Sequence, residues 1–232
     1  MGTTRAVNPK LLVKEGADPF GATMIALAAA IEARSLHRED HLWRVAEFST
    51  RLAAALGLEE DAMQVIRLAA LFHDIGMIGV PDDILRKPRI LTPREFEQVA
   101  RHTVLGAELL SSLPHGEEVA AIVRGHHERW DGAGYPDSLA GTEIPLGARI
   151  VAVADAFDAL TTDRPHRPAV TPAEGLEILW FGATGQWDPE LVELFDPMVK
   201  AALENGLKHN LRDRVARYMV MGGFRGSQSW AG

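Results

Sequence analysis

The chain has 232 residues, 47% of them apolar and 24% charged, which excludes wholesale disorder and suits one large domain. Its 24 Lys and Arg against 32 Asp and Glu give a formal charge of −8, which disfavours binding to a nucleic acid polymer through its backbone. The absence of cysteine excludes disulfides, thiolate metal sites and cysteine nucleophiles. With no signal-peptide pattern and an apolar run at 24–31 too short to cross a bilayer, the expectation is a cytoplasmic protein without membrane association.

Residues 1–20 are irregular, with Pro9, Gly16 and Pro19, and form an expected arm. Residues 22–34 are alanine-rich and helical by propensity, apolar almost all round, and should pack against something, a second copy of the chain being one candidate. Val45, Phe48, Leu52 and Leu56 carry a helix over 41–56 with Gly57 as its C-cap. Val65, Leu68, Ala69 and Phe72 carry the next over 61–72, stopping near Gly76 because Gly79 and Pro81 follow. Thr92-Pro93-Arg94-Glu95 is a capping-box start for a helix through His102 to about Leu113. A further helix should end near His126 and His127, before a glycine-rich loop over 131–147. A long helix over 146–161 follows, then a second capping-box start at Thr171-Pro172-Ala173-Glu174. Helices over 189–203 and 207–220 and a loose tail over 222–232 complete the chain. No stretch sustains period-two alternation, so the expected class is all-α.

The histidines are unevenly placed. A lone histidine on a half-apolar helix is usually a hydrogen-bonded structural residue. Adjacent helical residues point about 100° apart, so His73-Asp74 and His126-His127 suit helix ends that straddle one point rather than one core face. With His41, His102 and Asp155 they make five imidazoles and two carboxylates, a donor set for Fe, Mn, Zn or Ni and a poor one for Ca or Mg. Glu128 and Asp131 either orient imidazole N–H groups or serve as helix-end and turn residues. Trp130 is read as core, and Lys87 as exposed and able to help with a phosphate.

His73-Asp74-Ile75-Gly76 resembles the HD motif of metal-dependent phosphohydrolases, and 126–136, from His126-His127-Glu128 to Gly134-Tyr135-Pro136, is similar to the signature of the HD-GYP family. Ile78-Gly79-Val80-Pro81-Asp82, the spacing from His102 to Gly106, and Asp155-Ala156-Phe157-Asp158-Ala159-Leu160 followed by Arg164-Pro165-His166-Arg167 match in order, over roughly 37–200. The resemblance implies an all-α bundle around a central metal site, with a catalytic domain at 36–205 between an arm and helix at 1–35 and a helix and tail at 206–232. It implies hydrolysis of cyclic di-GMP to the linear dinucleotide or GMP at a centre of two or three metals, iron or manganese. His41, His73, Asp74 and Asp155 would hold one ion, and Asp74, His102, His126 and His127 the second. His73 and Asp74 would sit at the catalytic centre with Asp74 bridging, and in-line attack on phosphorus would come from water activated between the cations. Bound cations would let an acidic protein accept an anionic dinucleotide. Arg164 and Arg167 match phosphate-contacting positions. Tyr135 would stack on guanine or meet a signalling partner such as a diguanylate cyclase.

Three positions depart from the family pattern. Met77 stands where the family has a lysine able to reach the substrate phosphate. His37 replaces the glutamate of three-metal members and could hold a third ion. His166 occupies a tyrosine position. Two rivals therefore stand beside cyclic di-GMP hydrolysis, namely an HD-fold phosphohydrolase of another nucleotide, and a slow or inactive cyclic di-GMP receptor.

Overall fold

A computed structural model of the chain describes residues 19–34, 40–87, 90–113, 116–163 and 168–204. His37, Arg164, His166, Arg167, the arm and the helix expected over 207–220 lie outside the described residues. The described part is all-α, with an isolated bridge between Ala183 and Trp187 as its one strand-like pairing. Ten α-helices run in order among the described residues: α1 Pro19–Glu32, α2 His41–Ala55, α3 Glu60–Phe72, α4 Asp82–Leu85, α5 Pro93–Ala100, α6 His102–Ser111, α7 Gly116–Gly125, α8 Leu146–Thr161, α9 Pro172–Gly182 and α10 Pro189–Glu204.

Helix α8 is the hub and packs against α2, α3, α7, α9 and α10. Its buried residues, among them Ile150, Val151, Val153, Ala154 and Phe157, extend round most of the helix, as a helix covered on several sides requires. Phe157 meets Phe48 of α2 and Phe195 of α10 edge-on, with ring centroids 5.3 and 5.2 Å away. Each large apolar side chain removed from water in this core contributes about 1.5–3 kcal/mol. Helix α1 sends Ile25, Ala28 and Ile31 into the same core, leaving Ala26, Leu27 and Ala30 exposed. Arg34, just beyond α1, locks it down: its guanidinium donates to the carbonyls of Met77 (3.1 Å), Ile78 (3.2 Å) and Val80 (2.8 Å) and to Asp82 Oδ1 (2.7 Å).

Two local expectations are corrected. Helix α3 ends at Phe72, and a 3-10 turn covers Ile75–Gly79. Glycine is required in this turn, because a Cβ on Gly76 would overlap the His102 carbonyl oxygen and sit 2.6 Å from Gly106 N. The helix expected to run unbroken from Pro93 divides at Arg101. There the Val99 and Ala100 carbonyls accept from His102 Nδ1 (2.7 Å) and Thr103 Oγ1 (3.0 Å), and such side-chain bonds compete with the backbone ladder. Both capping boxes form as expected, Thr92 with Glu95 and Thr171 with Glu174.

Candidate metal centre

Each candidate ligand sits where a helix begins, ends or faces the core. His41 opens α2 on the stripe that buries Val45, Ser49 and Leu52, so it turns inward. His73 and Asp74 close α3, His102 opens α6, His126 and His127 follow α7, and Asp155 lies within α8. His41, His73, His102 and His126 are buried, His127, Asp74 and Asp155 partly so. The imidazoles thus form the floor and the carboxylates the open side.

The seven residues fall into two groups. In one, donor atoms of Asp74, His102, His126 and His127 all lie within 4.8 Å of one another; in the other, those of His41, His73 and Asp155 do. Asp74 faces both groups. Its Oδ1 is 3.4 Å from His102 Nε2 and its Oδ2 is 3.7 Å from His73 Nε2. Asp155 Oδ1 lies 3.5 Å from His41 Nε2 and 4.0 Å from His73 Nε2.

The chemistry of these donors fits divalent cations. His73, His102 and His126 each place Nδ1 on the backbone carbonyl three residues earlier, at 2.8, 2.7 and 2.6 Å. A carbonyl only accepts, so Nδ1 carries the proton and Nε2 presents a lone pair. His73 Nε2 is buried with no hydrogen-bond partner among the described residues. His102 Nε2 and His126 Nε2 face each other at 3.4 Å with both lone pairs inward. That arrangement is repulsive alone, and a cation held between the two rings would relieve it. Burial and then neighbouring imidazoles push His126 down to about 3. Burial likewise lowers His127 strongly, and lowers His102 against the pull of Asp74. Neutral imidazoles at neutral pH need release no proton to take up a metal.

A second layer orients the first. Asp158, almost fully buried, accepts from His41 Nδ1 at 2.7 Å, from Arg44 Nε, and from Arg44 Nη2 at 3.1 Å. Burial alone would raise the Asp158 carboxyl, yet the bonds from His41 and Arg44 hold it below the usual carboxylate range. Sequence reasoning assigned Asp158 no role, although it lies one helical turn after Asp155 on α8, where two carboxylates share a face.

The remaining candidates are placed as follows. Tyr135 tilts against His127 (centroids 5.1 Å, 38°) and meets Phe96 edge-on at 5.6 Å. Met77 is partly buried and lines a small crevice with His41, Asp74 and Leu42. Lys87, expected at the surface, is instead partly buried with Nζ 2.5 Å from both Glu95 carboxylate oxygens. Lys87 and the Thr92 cap together hold Glu95 at about 2. Glu128 accepts from Asp137 N at 2.6 Å, and Asp131 accepts from Arg129 and from Ala133 N, so both brace the glycine-rich loop as turn residues do. Trp130, just ahead of that loop, is half-buried under the Arg149 guanidinium rather than in the core.

Among known proteins, the sequence model of the HD domain family matches residues 23–191. A cyclic di-GMP phosphodiesterase of Thermotoga maritima is 43% identical over 169 residues, covering 71% of this chain and 45% of that protein. The 3'3'-cGAMP-specific phosphodiesterase 2 of Vibrio cholerae is 39% identical over 173 residues, covering 72% of this chain and 33% of that protein. The chain thus spans between a third and a half of the length of these relatives. The crystal structure of a cyclic GMP-AMP specific phosphodiesterase of V. cholerae shares the fold, with a TM-score of 0.64 at 20% identity, covering 85% of this chain and 52% of that one. With the HD pair at the end of α3, its imidazole partners gathered around it and the family match running from α1 into α10, the chain belongs to the HD domain family.

Proposed function

We propose that the chain is a metal-dependent phosphodiesterase that hydrolyses cyclic di-GMP to the linear dinucleotide or GMP. The observation that carries this reading is Asp74, whose two carboxylate oxygens face two separate donor groups. The names of the relatives support the substrate class. Residues 36–205 would form the catalytic domain. His41, His73, Asp74 and Asp155 would hold one cation, and Asp74, His102, His126 and His127 the other. Iron or manganese suits this imidazole and carboxylate set, and a third ion would use His37. Bound cations supply an activated water and offset charge on the phosphodiester oxygens.

The chain's own groups do the rest. The Nδ1 bonds of His73, His102 and His126 fix each ring so that Nε2 points into the centre. Asp158 does the same for His41. Arg164 and Arg167 would clamp the phosphates in the planar geometry that guanidinium favours. Tyr135 would present the Gly-Tyr-Pro loop to the substrate or to a signalling partner such as a diguanylate cyclase. A homodimer would use the exposed Ala26, Leu27 and Ala30 face of α1, because the opposite face is spent on the chain's own core. A cytoplasmic location fits the substrate.

Met77 favours a second reading, in which another cyclic dinucleotide such as cyclic GMP-AMP is the preferred substrate. A substrate panel at equal metal loading separates the two. Asp74→Ala tests the site common to both: hydrolysis should vanish and bound metal should be depleted. Normal activity with full metal would remove Asp74 from the centre.

A further inference from the structure

We propose that Phe96 is the base-recognition wall of the site, the surface on which a purine of the bound cyclic dinucleotide stacks. The inference rests on the phosphodiesterase reading above and adds a residue that holds the base. Helix α5 is amphipathic, with Phe96, Val99 and Ala100 on one stripe, yet it buries none of its residues. It is held by its capping box and by the Lys87–Glu95 ion pair rather than by a core of its own. Phe96 remains half exposed, and Ile90, ahead of the helix, is almost fully exposed.

This stripe does not face away from the chemistry. The Phe96 ring meets Tyr135 edge-on at 5.6 Å and 86°, and Tyr135 in turn lies against His127, a member of the Asp74 group. An aromatic series therefore runs from the metal centre outward: imidazole, phenol, phenyl. Tyr135 is committed within it, one side to His127 and one edge taken by Phe96, and it is partly buried. Phe96 is the member whose surface is still open. A nucleotide whose phosphate sits at the cations extends its base away from them by the span of a ribose, and the proposal sets that base against the outermost ring of the series. Stacking needs only a π-face, so Phe96 would supply affinity while other contacts distinguish one purine from another.

The test measures binding of a hydrolysis-resistant phosphorothioate analogue of cyclic di-GMP to the full, metal-loaded chain by calorimetry. Inorganic phosphate serves as a base-free probe of the cations. Phe96→Ala should weaken the dinucleotide about tenfold or more while leaving phosphate binding and metal content unchanged. Phe96→Trp should restore dinucleotide binding. Because α5 buries none of its residues, the variants should fold, and thermal melting checks this. Equal dinucleotide affinity in all three proteins would overturn the base wall alone. So would parallel losses of dinucleotide and phosphate, which would make Phe96 a brace for the Tyr135 loop. A wild-type chain that binds phosphate but no cyclic dinucleotide would overturn both the wall and the reading beneath it.

Discussion

Asp158→Asn removes one charge from a nearly isosteric side chain that orients His41. The carboxylate accepts three N–H groups, from His41 Nδ1 at 2.7 Å, from Arg44 Nε, and from Arg44 Nη2 at 3.1 Å. An amide offers one oxygen and one NH2. If the oxygen stays on Arg44, the NH2 faces His41 Nδ1, which must then accept. The proton moves to Nε2 and the ring loses the lone pair it directs at Asp155. If the oxygen stays on His41, a buried donor of Arg44 is opposed by another donor. Outer-shell changes of this kind cost roughly 10- to 100-fold in metal affinity, or about 1.4–2.7 kcal/mol. The loss should fall on the group of His41, His73 and Asp155, because His102 and His126 are oriented by backbone carbonyls that the substitution does not touch. Titration with manganese, with metal content measured on the same samples, should show one site weakened and one retained. His126→Ala should weaken the other, and the double variant both. Unchanged affinity at both sites in Asp158→Asn would refute the orienting role.

The close approach at Gly76 predicts that Gly76→Ala destabilises the fold by about 1–3 kcal/mol or more, since the added methyl meets backbone that cannot swing aside; urea unfolding checks this, and a change below about 1 kcal/mol would mean the turn relaxes. For metal-free protein, His126 stays neutral in the fold down to about 3 but takes a proton at about 6.5 when unfolded. The unfolded state therefore binds more protons between those values, and stability falls as pH drops through that window. His126 alone accounts for about 2 kcal/mol between pH 7 and pH 5, with His102 and His127 adding the same sign; flat urea midpoints over that range would contradict the burial. Met77→Lys should lower KM for cyclic di-GMP about tenfold by adding a charged phosphate contact beside Asp74, and an unchanged KM would place that position out of the substrate's reach.

Much of the candidate site could be read from adjacent pairs. His73-Asp74 and His126-His127 signal helix ends, since neighbours about 100° apart rarely both serve one core face. Capping chemistry is equally local, and so Thr92 and Thr171 mark true helix starts. Helix α8 keeps its expected bounds of 146–161, with Pro145 at its N-cap and apolar residues that continue at helical spacing. What escaped depends on side-chain contacts that leave no periodic trace, several of them between residues distant in the chain. The break at Arg101 arises because His102 and Thr103 take carbonyls that a helix would use. Asp158 gains its meaning from residues more than 110 positions earlier. Lys87 looks exposed until α5 brings Glu95 onto it. The Arg34 clamp spans more than 40 residues and leaves no periodic trace.

The central claim is that this site hydrolyses cyclic di-GMP through metals held by Asp74 and its imidazole partners. The most direct measurement is cyclic di-GMP turnover by purified protein loaded with manganese or anaerobic Fe(II), with metal quantified on the same sample. Hydrolysis that accompanies about two metals per chain and disappears on chelation is the predicted result. Full metal occupancy without turnover of cyclic di-GMP, or turnover indifferent to metal removal, would contradict it.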